Sequence, residues 1–139
     1  MSNTTPFLND GHFVIACDVT HAGDWSILTV EFTPDNSSTD EPMVVLVTLR
    51  RESPTVAEVA NNEQSRILAF PDTSPDTVAV VVNVTSVTCA DRGDYWCRLT
   101  MRGGQEFSES GRVAIQGMMF VYVILKKKEE KKVIMMLNN

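Results

Sequence analysis

Along most of this chain apolar residues recur at every second position, and turn-forming residues break the pattern at intervals of roughly ten residues. Successive side chains of a strand point to opposite faces, so period-two alternation predicts strands with one face in a core. No stretch between residues 1 and 116 carries helical periodicity over helical length. His12 to Val19 places Phe13, Ile15, Cys17 and Val19 on one face; Trp25 to Thr33 sets Leu28, Val30 and Phe32 against Ile27, Thr29 and Glu31. Met43 to Arg51 is apolar on both faces, with Val45, Val47 and Leu49 against Val44 and Leu46. Strands follow at Ser65 to Phe70, Thr77 to Val84 and Asp94 to Met101, and a closing one runs from about Glu106 to Gln116. The expectation is an all-β sandwich of eight or nine strands, with Thr55 to Ala60 as the optional member.

Two features punctuate the strands. Pro34 to Pro42 is polar throughout and reads as a loop, and Arg102-Gly103-Gly104-Gln105 reads as a hairpin turn. The length, 139 residues, suits one domain. A net charge of −6 speaks against nucleic acid, which needs a basic face. Every lysine lies in the tail from Lys126 to Lys132, so residues 1–125 are strongly acidic and the end of the chain basic. That shift places the domain at residues 10–116, with an N-terminal extension at 1–9 and a tail at 117–139. The tail is apolar to Leu125 and then rich in lysine, like a membrane anchor ended by charge. Counted from Val113 the run is only thirteen residues, against about twenty for a span. A truncated anchor is expected, poorly ordered or a frayed helix beyond about Gly117. The first residues show neither a basic region nor a long apolar run, so no signal peptide is visible. The chain is expected to be a fragment of an exported protein or one begun downstream of its true start, with a cytoplasmic protein as the alternative.

Cys17 and Cys97 each sit in mid-strand on the apolar face, where a bridge between two packed sheets would be found. The second closes Asp91-Arg92-Gly93-Asp94-Tyr95-Trp96-Cys97, an Asp-x-Gly-x-Tyr-x-Cys motif. This segment resembles the E–F corner and F strand of immunoglobulin domains, nearest the variable or intermediate set, and the resemblance covers roughly residues 10–116. Arg66-Ile67-Leu68-Ala69-Phe70-Pro71-Asp72 resembles the family's strand D, and Val80, Val82, Val84 and Val87 fall where its strand E and corner apolar residues fall. The resemblance implies a Greek-key sandwich with a Cys17–Cys97 disulfide. It also implies an Arg66–Asp91 pair, a turn relieved by Gly93, and a Tyr95 hydroxyl bonded to upstream backbone. Two departures stand out: Trp25 comes too early for the family's core tryptophan, whose place falls at Val30 or Phe32, and strand G lacks the Phe-Gly-x-Gly bulge. An antibody or T-cell receptor chain is therefore not expected; a divergent receptor or adhesion domain, invertebrate ones included, tolerates both losses.

Cys89 is the odd cysteine, read as a free thiol or else an intermolecular bond. Arg92-Gly93-Asp94 spells an integrin-binding tripeptide, but in a tight corner rather than a presenting loop. Asn3, Asn36 and Asn83 each open an Asn-x-Ser/Thr sequon, and all three are expected on the surface.

Enzyme signatures are absent. His12 and His21 are the only histidines, no metal-ligand spacing occurs, and there is no nucleophile elbow, phosphate loop or dinucleotide fingerprint. No cofactor and no metal is expected. Function must then be argued from surface. One candidate is the loop end: His21 and Asp24 in Thr20 to Asp24, then Glu52 to Thr55, then Arg102 and Gln105. The other is the outer face of the G-F-C-C′ sheet, where Trp96 and Arg98 would stand beside Ile27, Val44 and Leu46. The expectation is an extracellular or cell-surface recognition module for a protein partner, self-association included. Its rivals are an intracellular structural module without a disulfide and a small-ligand-binding β protein.

Overall fold

A computed structural model describes residues 12–34, 43–113, 120–126 and 132–138. The alternating segments form β1 (Phe13–Thr20), β2 (Trp25–Pro34), β3 (Val44–Arg50), β4 (Ser53–Val59), β5 (Ile67–Ser74), β6 (Thr77–Val84), β7 (Gly93–Met101) and β8 (Glu106–Val113). Two short 3-10 turns, Asn61–Glu63 and Cys89–Asp91, lead into β5 and β7. One antiparallel sheet has the order β4-β3-β2-β7-β8 and the other contains β5-β6-β1. The fold is a β-sandwich.

The core lies between the sheets. Ile15, Val19, Val78, Val80, Val82 and Val84 face Leu28, Val30, Leu49, Leu99 and Phe107, all buried. Each full burial of such a side chain contributes roughly 1.5–3 kcal/mol, and β-branched residues suit the pleated surface as well. Cys17 on β1 and Cys97 on β7 are bonded across this core, with Cα atoms 6.0 Å apart. Val30 is the cross-strand partner of Cys97 and is wholly buried. Trp25 is nevertheless a core residue. A register irregularity between Trp25 and Ile27 lets it turn inward at the start of β2.

Proline marks one edge of each sheet. Pro54 lies in β4 and Pro71 in β5, both outermost strands, where the missing N–H removes no needed ladder bond and discourages pairing with another chain.

The tail departs from expectation. Phe120–Lys126 forms β9 and Lys132–Asn138 forms β10, paired with each other; β10 lies antiparallel to β1, giving the order β5-β6-β1-β10-β9. The reason is compositional and topological. Phe120-Val121-Tyr122-Val123-Ile124 and Val133-Ile134 are strong strand formers, and the edge of β1 offers unpaired backbone groups to receive them. No helix among the described residues is long and apolar enough to cross a membrane. Ten strands are thus described, where eight or nine were expected. The N-terminal extension 1–9 and the residues of the 35–42 loop lie outside the described residues.

Candidate recognition surface

One end of the sandwich is closed by a corner built from residues far apart in sequence. Tyr95 donates its hydroxyl hydrogen to the Asp91 carbonyl oxygen at 2.6 Å, and its ring stacks on Phe32 at 4.5 Å and meets Phe13 edge-on at 5.5 Å. Burial, with the Asp91 carboxylate close by, pushes the Tyr95 hydroxyl well above the usual phenol range. Gly93 has a φ of 153°, a conformation L side chains rarely adopt, and its position is buried.

Arg66 clamps the same corner. Its Nη1 donates to Asp91 Oδ2 at 3.0 Å and its Nη2 to Asp91 Oδ1, while Nε donates to Glu63 Oε1 at 2.8 Å. Nη1 also reaches the Thr85 and Ser86 carbonyls at 3.2 and 3.3 Å, which ties β5 to the end of β6. The Asp91 carboxylate raises the guanidinium's proton affinity further. Asp91 Oδ2 accepts from the Thr88 backbone as well, at 2.9 Å. These groups border a cleft of about 420 Å³ lined also by Phe32, Val44, Leu46 and Ile67. Its charged groups answer one another, so the arrangement is a structural lock. The Arg92-Gly93-Asp94 tripeptide runs from this corner into β7, with Arg92 exposed, Gly93 buried and Asp94 half-buried.

Away from the corner, β2, β3, β7 and β8 present their outer face. Val45, Glu31, Trp96 and Ser110 form one cross-strand row; Thr48, Thr29, Arg98 and Ser108 form the next. Glu31, only 8% exposed, accepts from Thr29 at 2.7 Å and from Arg98 Nε at 3.1 Å, and Arg98 Nη1 reaches Glu106 at 3.3 Å. Hydrogen bonding to Glu31 raises the Arg98 pKa. Trp96 is half-buried beside this network, and its shielded indole Nε1 has no hydrogen-bond partner among the described residues.

Two members expected on this face are elsewhere. Leu46 is buried, and Val44, though exposed, lines the corner cleft beside it. The cause is a β-bulge: Val47 opposes Val30 but Val45 opposes Glu31, so Leu46 is an extra residue and the alternation reverses before it. Val45, expected inside, is the exposed outward residue instead. Ile27 is half-buried in the row of Arg50 and Thr100.

At the opposite end from the corner, the structure brings His21, Asp24, Arg102 and Gln105 to the surface. Asp24 gathers two arginines, with Arg51 Nη1 at 2.8 Å and Arg102 Nε at 3.4 Å from its Oδ1. The Arg102 amide also donates to the Asp24 carbonyl, at 2.9 Å. Gly104, at φ 97°, closes the β7–β8 hairpin with Met101. Nothing in the sequence places Arg51 against Asp24, and it marks Glu31 only as a polar residue on the outer side of β2.

On the other sheet, Asn83 is half-buried rather than freely exposed, with Oδ1 shielded and unpartnered. Asn3, Asn36 and the Cys89 side chain lie outside the described residues. Among those described, no three histidines, cysteines or acids are grouped to hold a metal ion. No protein-family model matches this chain, and no curated protein matches it.

Proposed function

We propose that this chain is a variable-type immunoglobulin-like domain that recognises a protein partner outside the cell. Three observations support the family reading. The run β5-β6-β1 within one sheet and the order β4-β3-β2-β7-β8 of the other correspond to D-E-B and C″-C′-C-F-G, with β10 and β9 continuing the first sheet beyond β1. The bridge joins the strands equivalent to B and F, and the tyrosine corner has its hydrogen bond to upstream backbone. An internal disulfide suits an oxidising, non-cytosolic compartment and weighs against the intracellular module.

The observation that carries recognition is Trp96, a half-buried aromatic side chain on an outer sheet face, in the row next to that of Arg98. Tryptophan and arginine dominate interface centres because they combine large apolar area with directed hydrogen bonding. The bridge and corner hold that face rigid, so little ordering entropy is lost on contact.

The test applies a fluorescent, multimerised form of the domain to panels of intact cells. Binding that protease treatment of the cells removes, and that Trp96→Ala and Val45→Glu each abolish without changing the melting transition, supports the proposal. Binding indifferent to both substitutions, or none on any cell type, contradicts it.

A further inference from the structure

The outer face of the β5-β6-β1 sheet carries an apolar patch that alternation alone would have made polar. Leu68 is 55% exposed, Phe70 54% and Val81 39%. They are neighbours: Phe70 is the cross-strand partner of Val81, whose partner on the other side is Ala16. In the adjoining row Asn83 stands between Leu68 and Val14. A patch of this kind on a secreted domain needs a cover.

The sequence supplies one inside the patch. Asn83-Val84-Thr85 is a glycosylation sequon, and its acceptor is the polar residue of those two rows within β5, β6 and β1. Asn83 is half-buried on the outward side of β6, in the row of exposed Leu68. We infer that Asn83 carries an N-linked glycan whose first sugars lie over Leu68, Phe70 and Val81 and keep this face from associating. The inference rests on the exported reading above. In the linkage step, Asn83 Nδ2 bonds to the anomeric carbon of a polyprenyl-pyrophosphate-linked oligosaccharide. The bond from that carbon to the pyrophosphate oxygen breaks, polyprenyl pyrophosphate leaves with the electron pair, and the amide gives up one proton to a base. The C–H face of a pyranose then packs on Phe70 as an apolar surface, while its hydroxyls remain in water. The two sheets would thus be used differently: the Trp96 face open to a partner, the Phe70 face closed by carbohydrate.

The test expresses the full chain behind a cleavable leader in eukaryotic secretory cells. Peptide N-glycosidase digestion in heavy-oxygen water marks each formerly glycosylated asparagine as labelled aspartate. The expected result is a label at position 83. Enzymatic removal of the sugar from the folded protein, and separately Asn83→Gln, should raise binding of a solvatochromic apolar dye several-fold. Adding Phe70→Ser to Asn83→Gln should return it to baseline. A secreted chain labelled at Asn3 or Asn36 but not at Asn83 overturns the inference and leaves export standing. So does a labelled Asn83 whose sugar can be removed without change in dye binding. A chain that enters the pathway yet is neither secreted nor labelled overturns both this inference and the exported reading.

Discussion

Arg66 and Asp91, separated by 25 positions, meet through both terminal nitrogens of the guanidinium and both oxygens of the carboxylate. Asp91 is almost wholly buried, so its charge is tolerated only because Arg66 and the Thr88 amide answer it. Arg66→Ala leaves that carboxylate uncompensated and should cost about 3 kcal/mol. Arg66→Lys keeps the charge but loses the two-pronged geometry and should cost about 1–2 kcal/mol. Urea denaturation midpoints check both values.

Tyr95→Phe removes one buried hydrogen bond, to the Asp91 carbonyl, and should cost about 1–2 kcal/mol. The same residue gives the fold a signature in alkali. Burial holds its hydroxyl proton well above the ordinary range, while the unfolded chain releases it near pH 10. Stability from this group is therefore complete below about pH 10 and falls as pH rises, by about 1.4 kcal/mol per pH unit, until the folded state also ionises. Denaturation series between neutral and strongly alkaline pH should show that slope, and Tyr95→Phe should lose it.

Glu31 and Arg98 form a second, independent pair at the centre of the outer face. Arg98→Met should cost about 2 kcal/mol because it strands a buried carboxylate. Arg98→Met together with Glu31→Leu should be less damaging than the sum of the single changes, with a coupling of about 1–2 kcal/mol. A double-mutant cycle measured by chemical denaturation gives the coupling directly.

Removing residues 117–139 strips β10 from β1 and leaves a row of unpaired backbone groups along residues 13–20. The shortened chain should self-associate in a concentration-dependent manner, seen by sedimentation velocity, whereas the full chain should not. Amide exchange should likewise show protection in residues 133–137 of the full chain.

The residues that could be read from sequence are those whose role depends on local pattern. Val78, Val80, Val82 and Val84 announce one face of a strand by themselves, and the spacing of Asp91, Gly93, Tyr95 and Cys97 announces a corner. What stayed hidden depends on pairing. Leu46 turns inward because β2 and β3 slip by one residue at Val30, an event with no mark in either strand alone. The strands of the tail are of this kind too, because their strand propensity becomes decisive only once β1 provides an edge. The loop-end cluster of Asp24, Arg51 and Arg102, and the exposed pair Leu68 and Phe70, are likewise products of strands meeting in space. Trp25 shows the limit of a positional template, since a bulge carries it into the core from a place where no core tryptophan was expected.

The bridge should contribute roughly 2–4 kcal/mol by restricting the unfolded chain, and all the surfaces above depend on the sheets it joins. The most direct test is to alkylate the secreted protein under denaturing, non-reducing conditions and map its cysteines by mass spectrometry. The expected outcome is a single alkylated residue, Cys89, with the peptides of Cys17 and Cys97 joined. Three alkylated cysteines, or Cys89 joined to either of the others, would contradict the account.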